Sequence, residues 1–318
     1  MGDVDETVAD VGEFALIRRI TATPGRGQDT LLGPGDDAAV VAAPDGRVVA
    51  CTDVLVEGVH FRFDWSPPEQ VGRKAAAVNL ADIAAMGAVP TGLLVGIACP
   101  ASTPAPVIEQ ISAGLAAEAA RVRVGVVGGD LTRSDTLVIS VTALGSLDGR
   151  APVTRAGALP GDILAVAGKL GWSAAGFAVL GRGFRSPVTV VGAHRVPAPP
   201  YAAGPAAALA GATAMIDVSD GLLADLGHIA AASTVAIDLV GDLIPVDQRL
   251  VEVATALGAD ARHWALTGGE DHALAATFPS ASVVPPDFRI IGSVGRGSGV
   301  TVDGRPYTSG DPGWQHWR

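Results

Sequence analysis

Residues Gly35–Val56 read GDDAAVVAAPDGRVVACTDVLV: two apolar, β-branched runs on either side of Pro44-Asp45-Gly46. The pattern predicts strands at about Asp37–Ala42 and Val48–Val56, joined as a hairpin. With a three-residue loop, Ala43 faces Arg47 and Asp37 lies opposite Asp53, roughly 4.5–5.5 Å apart at Cβ. A two-residue loop shifts that pairing by one position. Facing carboxylates repel unless a cation lies between them. Asp36 reads as a turn or surface acid and Asp37 as the inward one.

Outward from this stretch, strands and helices alternate. Gly12–Ile20 predicts a short amphipathic helix. In Val71–Met86, Val71, Ala75, Val78, Asp82 and Ala85 recur on one helical face. A strand is expected at Thr91–Cys99 and a helix at Ile108–Ala120. Strands at Val122–Val127 and Thr136–Leu144 are expected to flank a Gly-Gly-Asp turn. A polar, turn-rich segment at Ser146–Pro152 suggests a boundary between domains 1–148 and 149–318. Beyond it come strand Asp162–Ala167, helix Ala174–Leu180 and a loose proline-rich stretch, Pro187–Pro205. Strand Ala214–Val218, helix Leu222–Ala232, strand Val235–Leu239 and helix Val246–Leu257 follow. Strands Ala273–Phe278 and Arg289–Val294 and a hairpin around Gly304 close the chain. This alternation is that of an α/β (α+β) protein.

Composition narrows the class. In 318 residues, 48% hydrophobic and 17% charged, there is enough apolar material for real cores. A net charge of −11, from 22 basic and 33 acidic residues, disfavours nucleic acid or an anionic membrane as partner. Cys51 and Cys99 have no metal-type spacing, which points to a reducing, cytoplasmic compartment. Met1–Asp10 is acidic and polar rather than a secretory leader, and no apolar run approaches membrane-spanning length.

The chemistry-bearing residues are acids at the ends of apolar elements: Asp37, Asp53, Asp82, Asp130, Asp217, Asp220 and Glu270. Each alone has an ordinary explanation: Asp82 hydrogen-bonded in its helix, Gly128-Gly129-Asp130 a common turn, Ser219 or Asp220 a helix N-cap. Together, hard oxygen donors without His or Cys clusters select Mg²⁺ over zinc. Mg²⁺ held by few carboxylates shares its shell with water and phosphate, so phosphoryl transfer is the expected chemistry. No Gly-x-x-x-x-Gly-Lys-Ser/Thr and no protein-kinase motif set is present.

GDDAAV, TDVLVEGVHF, KAAAVNLADIAAMGA, GGDLTRS, TRAGALPGD, IDVSDGLLADLGHI and GGEDHAL occur in that order. Together they resemble the thiamine-monophosphate kinase family of the aminoimidazole-ribotide-synthetase-like ATP-binding superfamily, from about Gly12 to Trp317. The resemblance implies a two-domain PurM-like architecture, each domain a mixed sheet with packed helices. The N-terminal domain would bind ATP and Mg²⁺ and dimerise, and the C-terminal domain would complete the active site. It implies direct in-line transfer from ATP to thiamine monophosphate, several Mg²⁺ ions, often K⁺, and a homodimer.

Carried over by motif, Asp37, Cys51, Thr52, Asp53, Asp82, Asp130, Asp217 and Asp220 correspond to the metal set. Cys51 stands where the family often has Ser. Gly129, Asp130, Arg155 and Ser219 resemble the nucleotide contacts, with Asp130, Asp220 and Arg155 closest to the transfer. His60, Glu270 and Trp314 resemble the substrate contacts. An aromatic that often precedes the Gly-Gly-Asp strand is missing at Arg121-Val122-Arg123. Selenophosphate synthetase needs a Cys or selenocysteine in an N-terminal loop, and residues 1–35 have no Cys. The hydrogenase-maturation relative needs a C-terminal Cys, and this chain ends His316-Trp317-Arg318. Aminoimidazole-ribotide synthetase and an inert Mg²⁺/nucleotide-binding regulator are the remaining alternatives.

Overall fold

The computed structural model describes residues 6–22, 27–32 and 39–313. Contacts divide the chain into two units, Met1–Ile83 with Val89–Gly149, and Ala84–Ala88 with Arg150–Arg318. The sequence suggests a parting after residue 148; the structure parts the chain after Gly149 and groups Ala84–Ala88 with the second unit.

The first unit holds helices α1 (Val8–Val11), α2 (Glu13–Thr21), α3 (Pro68–Ala85, its last residues in the second unit) and α4 (Ala105–Arg121). Strands β1 (Thr30–Leu32) and β2 (Val40–Val41) pair with each other. Strands β3 (Val49–Val56), β4 (Val89–Cys99), β5 (Val126–Arg133) and β6 (Val138–Ser146) form a four-stranded sheet in the order β3-β6-β4-β5. The expected hairpin does not form among the described residues. β3 takes β6 as its antiparallel partner from Val49↔Gly145 to Val56↔Val138, and β2 turns to β1. The intervening turn is held elsewhere: the Gly149 N–H donates to Asp45 Oδ2 at 3.0 Å, and Arg47 grips the same carboxylate. Asp36 and Asp37 lie outside the described residues. Gly-Gly-Asp is also not a turn. Gly128, Gly129 and Asp130 run inside β5, paired in parallel with β4.

Helices α3 and α4 cross at backbone contact, because each offers a glycine to the other. A Cβ on Gly72 would lie 1.9 Å from the Ile111 carbonyl oxygen, and one on Gly114 would lie 1.9 Å from that of Glu69. One turn away, the fully buried Glu118 accepts from Arg73 at 2.8 and 3.0 Å and from Arg121 at 2.5 Å. A carboxylate taken out of water is tolerated only when its oxygens are matched in this way.

In the second unit, strands β7 (Ile163–Ala167), β8 (Ala214–Val218), β9 (Ala236–Leu239), β10 (Ala273–Phe278), β11 (Arg289–Gly295), β12 (Gly299–Val302) and β13 (Arg305–Pro306) form a seven-stranded sheet. Their order is β13-β12-β9-β11-β7-β10-β8. All pairs are antiparallel except β9 with β12. Helices α5 (Trp172–Gly181), α6 (Val188–Arg195), α7 (Ala203–Leu209), α8 (Leu222–Ser233), α9 (Gln248–Leu257) and α10 (Ala261–Thr267) surround it.

Residues of the central strands are buried on both faces, as period-two alternation requires. Leu164, Val166, Ile216, Val218, Ala273 and Ala275 pack with Leu222, Leu226 and Ile229 of α8. Ala165, Ala167, Met215, Leu274, Ala276 and Phe278 pack with Ala203 and Ala207 of α7. The stretch expected to be loose, Pro187–Pro205, instead contains α6 and the start of α7. Its prolines stand at helix starts or outside the helices, so they do not interrupt them.

Gly114→Ala is expected to lower unfolding free energy by about 1–3 kcal/mol, because neither backbone at the crossing can yield cheaply. Gly227→Ala in α8, where a Cβ meets nothing within 4 Å, is expected to raise it by about 0.5–1 kcal/mol. Urea unfolding of both variants measures the difference.

Candidate active site

In the first unit the strand period sorts the acidic residues. Cys51 and Asp53 share the face of β3 that meets α3. The Asp53 N–H donates to Asn79 Oδ1 at 2.9 Å, and Cys51 Sγ donates to the Asn79 carbonyl at 3.3 Å. Asn79 is fully buried and fixed by its own bond to the Ala75 carbonyl. Burial, then the Asp82 charge and hydrogen bond, then Asp53, push the Cys51 thiol far above its ordinary range. Cys51, Asp53 and Asp82 thus form one group. The sequence reading missed Asn79, whose signal was a lone amide in the apolar run Ala75–Leu80.

Thr52 points to the opposite face. Its Oγ1 donates to the Val141 carbonyl at 3.0 Å and accepts from Thr142 at 3.1 Å. Asp130 belongs to that face too: it is level with Gly96, Ser140 and Val54 across the sheet. β3 and β5 are the two edges of the sheet. Asp53 and Asp130 are therefore three strand spacings apart, roughly 14 Å, and on opposite faces. Gly129 approaches β4 closely, with room for no side chain: a Cβ would lie 2.0 Å from the Val95 carbonyl oxygen.

His60 follows β3. Its Nδ1 accepts from the Val56 N–H at 3.0 Å, so a neutral ring carries its proton on Nε2. The nearly fully buried Lys74 donates to the His60 carbonyl at 3.0 Å.

In the second unit two motifs are seated backbone against backbone. The Glu270 N–H donates to Ser219 O at 2.7 Å and the His272 N–H to Val218 O at 2.9 Å. A Cβ on Gly269 would lie 2.4 Å from Ser219 O, and one on Gly221 would lie 2.5 Å from Thr267 O. This contact gathers Asp217, Ser219, Asp220 and Glu270. The buried Asp217 carboxylate meets His272 Nδ1 at 3.0 Å.

The expected N-cap by Ser219 or Asp220 does not form. Gly221 holds the cap position of α8, and Asp225 reaches back from the first turn instead. Its Oδ2 accepts from the Asp220 N–H at 3.1 Å and the Gly221 N–H at 3.0 Å. Burial, then the charge of Asp217, with Asp220 adding to it, raise the Asp225 carboxyl to about 7, against the pull of those N–H bonds. Asp271 is raised to about 7 as well, chiefly by burial. It accepts from the Gly171 N–H at 2.5 Å and the Ser173 N–H at 2.8 Å, closing the N-terminus of α5. Asp225, Asp271 and His272 were also missed; the signal was an acid within the apolar run Leu222–Leu226 for the first, and two titratable residues next to Glu270 for the others.

Arg155 is exposed, and its backbone sits elsewhere. Its carbonyl accepts from Ser233 Oγ at 2.8 Å, at the C-terminal end of α8 and so about 18 Å of helix away from Asp220. Trp314 lies outside the described residues. Among the described residues no three of His, Cys, Asp and Glu stand together as a metal-holding group. No described helix is long and apolar enough to cross a membrane.

A sequence profile described as AIR synthase related protein, N-terminal domain, matches residues 35–147. A thiamine-monophosphate kinase of Mycobacterium tuberculosis is 52% identical over 311 residues, covering 97% of this chain and 92% of that protein. The crystal structure of thiamine-monophosphate kinase from Stenotrophomonas maltophilia K279a aligns with a TM-score of 0.80 at 35% identity, over 93% of this chain and 98% of its own. AaThiL, solved in complex with AMPPCP and TMP, aligns with a TM-score of 0.80 at 31% identity, over 97% of this chain and 98% of that one.

The raised Asp225 has a definite pH consequence. Between an unfolded value near 3.9 and a folded value of about 7, the folded state binds the extra proton. Its stabilising contribution is complete below about pH 4 and lost as pH rises through 7. Without added metal, unfolding free energy is expected to fall from pH 5 to pH 8, at up to about 1.4 kcal/mol per pH unit for this group. Asp225→Asn keeps an oxygen for both N–H groups and is expected to reduce that slope, leaving the part that Asp271 contributes. Urea titrations at several pH values report it.

Proposed function

The chain belongs to the thiamine-monophosphate kinase family and catalyses ATP-dependent phosphorylation of thiamine monophosphate to thiamine diphosphate, and we propose that its two acidic arrays do this through Mg²⁺. The PurM-like α/β fold is shared with the structures it resembles. The observation that carries the proposal is like-charge crowding at the motif acids. Beyond burial, the larger cause in both, Asp217 and then Asp220 raise the carboxyl of Asp225, and Asp82 and then Asp53 raise the thiol of Cys51. A divalent cation relieves such crowding.

The donors fit Mg²⁺ in kind, being carboxylates and a hydroxyl with no His or Cys cluster. Asp53, Asp82, Asp217 and Asp220 would hold ions, with Asp37, Thr52 and Asp130 and with the Cys51 carbonyl. Each array offers few carboxylates, which suits an ion that shares its shell with phosphate oxygens and water. Bound Mg²⁺ supplies charge neutralisation to the transferring phosphoryl group. The attacking oxygen is already anionic, so no strong general base is required, and positioning dominates.

Ser219 is a nucleotide contact; Gly129 is glycine because the Val95 carbonyl fills its Cβ space, and Arg155, about 18 Å of helix from Asp220, stands outside that cluster. His60 and Glu270 contact thiamine monophosphate, as does Trp314. K⁺ serves as an accessory ion. We read the enzyme as cytoplasmic; its two unpaired cysteines support this. The first unit binds nucleotide and metal, and the second contributes the acids Asp217 and Asp220.

The homodimer is the remaining element. Asp53 and Asp130 are on opposite faces and edges of one sheet, so they do not share an ion within a chain. Their joint use favours a second copy seated on the outer face of β3-β6-β4-β5, where Val54 and Leu94 are exposed.

Coupled assay of thiamine diphosphate formation with thiamine monophosphate, ATP, Mg²⁺ and K⁺ tests the function; absence of product from the pure protein overturns it. Asp53→Asn and Asp130→Asn are expected to keep the melting temperature yet lower kcat at least about 100-fold. Full activity in both removes them from the metal set. Light scattering is expected to give about twice the 31.8 kDa chain mass, and Val54→Asp to shift it toward the monomer.

A further inference from the structure

The Gly268–His272 segment carries backbone strain. Glu270 and His272 both have positive φ, +64° and +53°. For non-glycine residues that conformation persists only where the surroundings enforce it. On the far side of Glu270 stand α5 and α6, which supply its side-chain neighbour His194. Those helices approach closely at Gly176, where a Cβ would lie 2.3 Å from the Val190 carbonyl oxygen.

The approach places His194 of α6 beside Ser173 of α5, with Nδ1 3.0 Å from Ser173 Oγ and 3.4 Å from Glu270 Oε2. His194 is 6% exposed and Ser173 1%, whereas the Glu270 side chain is 37% exposed. Phe177 meets the His194 ring edge-on at 5.7 Å between centroids. Asp271 ties the Ser173 N–H to the residue after Glu270.

We propose that His194, backed by Ser173, is the positioning residue that aims the Glu270 carboxylate at thiamine monophosphate. An ionised carboxylate only accepts hydrogen bonds. Approach to Glu270 therefore puts the proton on Nδ1, where Ser173 Oγ shares it as a second acceptor. The imidazole is held by packing on Phe177 and by a buried hydroxyl, so it restrains a partly solvated acid that would otherwise sample several rotamers. The inference rests on the reading that Glu270 contacts the substrate. It goes beyond that reading by naming what fixes the acid.

The test is steady-state kinetics on the full chain, with KM measured separately for thiamine monophosphate and ATP. His194→Phe, which keeps the ring packing, is expected to raise KM for thiamine monophosphate about tenfold, the scale of one hydrogen bond to a charged group. KM for ATP is expected to stay within about twofold. His194→Asn places an N–H near the Nδ1 position and is expected to recover most of the loss. Ser173→Ala gives a smaller rise of the same kind, and decides the matter if His194→Phe does not fold.

Glu270→Gln is expected to match His194→Phe, and the double variant to be no worse than Glu270→Gln alone. An unchanged KM for thiamine monophosphate in His194→Phe and Ser173→Ala overturns the proposal, as do additive losses in the double variant. Equal rises in both KM values with a lower melting temperature also overturn it, marking a purely structural role. If Glu270→Gln itself binds thiamine monophosphate normally, the substrate assignment of Glu270 is what fails.

Discussion

The seating of Ser219–Gly221 against Thr267–Gly269 is the constraint on which the second unit's chemistry depends. Carbonyl oxygens of one segment occupy the space where the other's Cβ atoms would be, so two of the positions must be glycine. The N–H groups of Glu270 and His272 reach back across this contact, and that reach sets their positive φ. Once the backbones are fixed, the side chains have little choice. His272 takes Asp217, Asp225 takes the N–H groups of Asp220 and Gly221, and Asp271 turns inward to α5. Charged groups are crowded here because backbone geometry, rather than charge attraction, brings them together.

The first unit organises its acids by strand alternation. One face of β3 presents Cys51 and Asp53 to Asn79 and Asp82, and the other face presents Thr52 alongside Asp130. A sheet with one covered face normally spends its outer face on solvent. Here that face carries Thr52, Val54, Leu94 and Asp130, a mixture of apolar and ligand-type groups. Adjacent motif residues such as Cys51, Thr52 and Asp53 thus serve opposite sides of the sheet.

Much of this was legible in the sequence. β10 and β8 have the predicted ends, and α8 and α9 lie within about two residues of them, because their apolar runs stop at turn and breaker residues such as Ser219, Pro279 and Gly258. The acid-bearing motifs were legible as chemistry. What failed was pairing and direction. Pro44-Asp45-Gly46 carried a hairpin signal, but the choice of β6 over β2 as partner is a long-range matter that local turn chemistry does not encode. Gly-Gly-Asp read as a turn because glycine is ambiguous between turns and close strand approach, and here the Val95 carbonyl decided it. The proline-rich segment hid two helices, since proline before or at a helix start looks in sequence like a breaker. The cap of α8 ran backwards from Asp225, a direction that residue spacing alone leaves open.

Cys51 has a consequence for durability. Burial of its sulfur first, and then the Asp82 and Asp53 carboxylates, oppose formation of the thiolate. The thiolate is the form that attacks peroxide and alkylating agents, so a cysteine at the heart of the acidic group is chemically quiet. Burial and the charges that crowd this pocket together protect its most vulnerable atom. The thiol at this position therefore adds little redox liability to the acidic group.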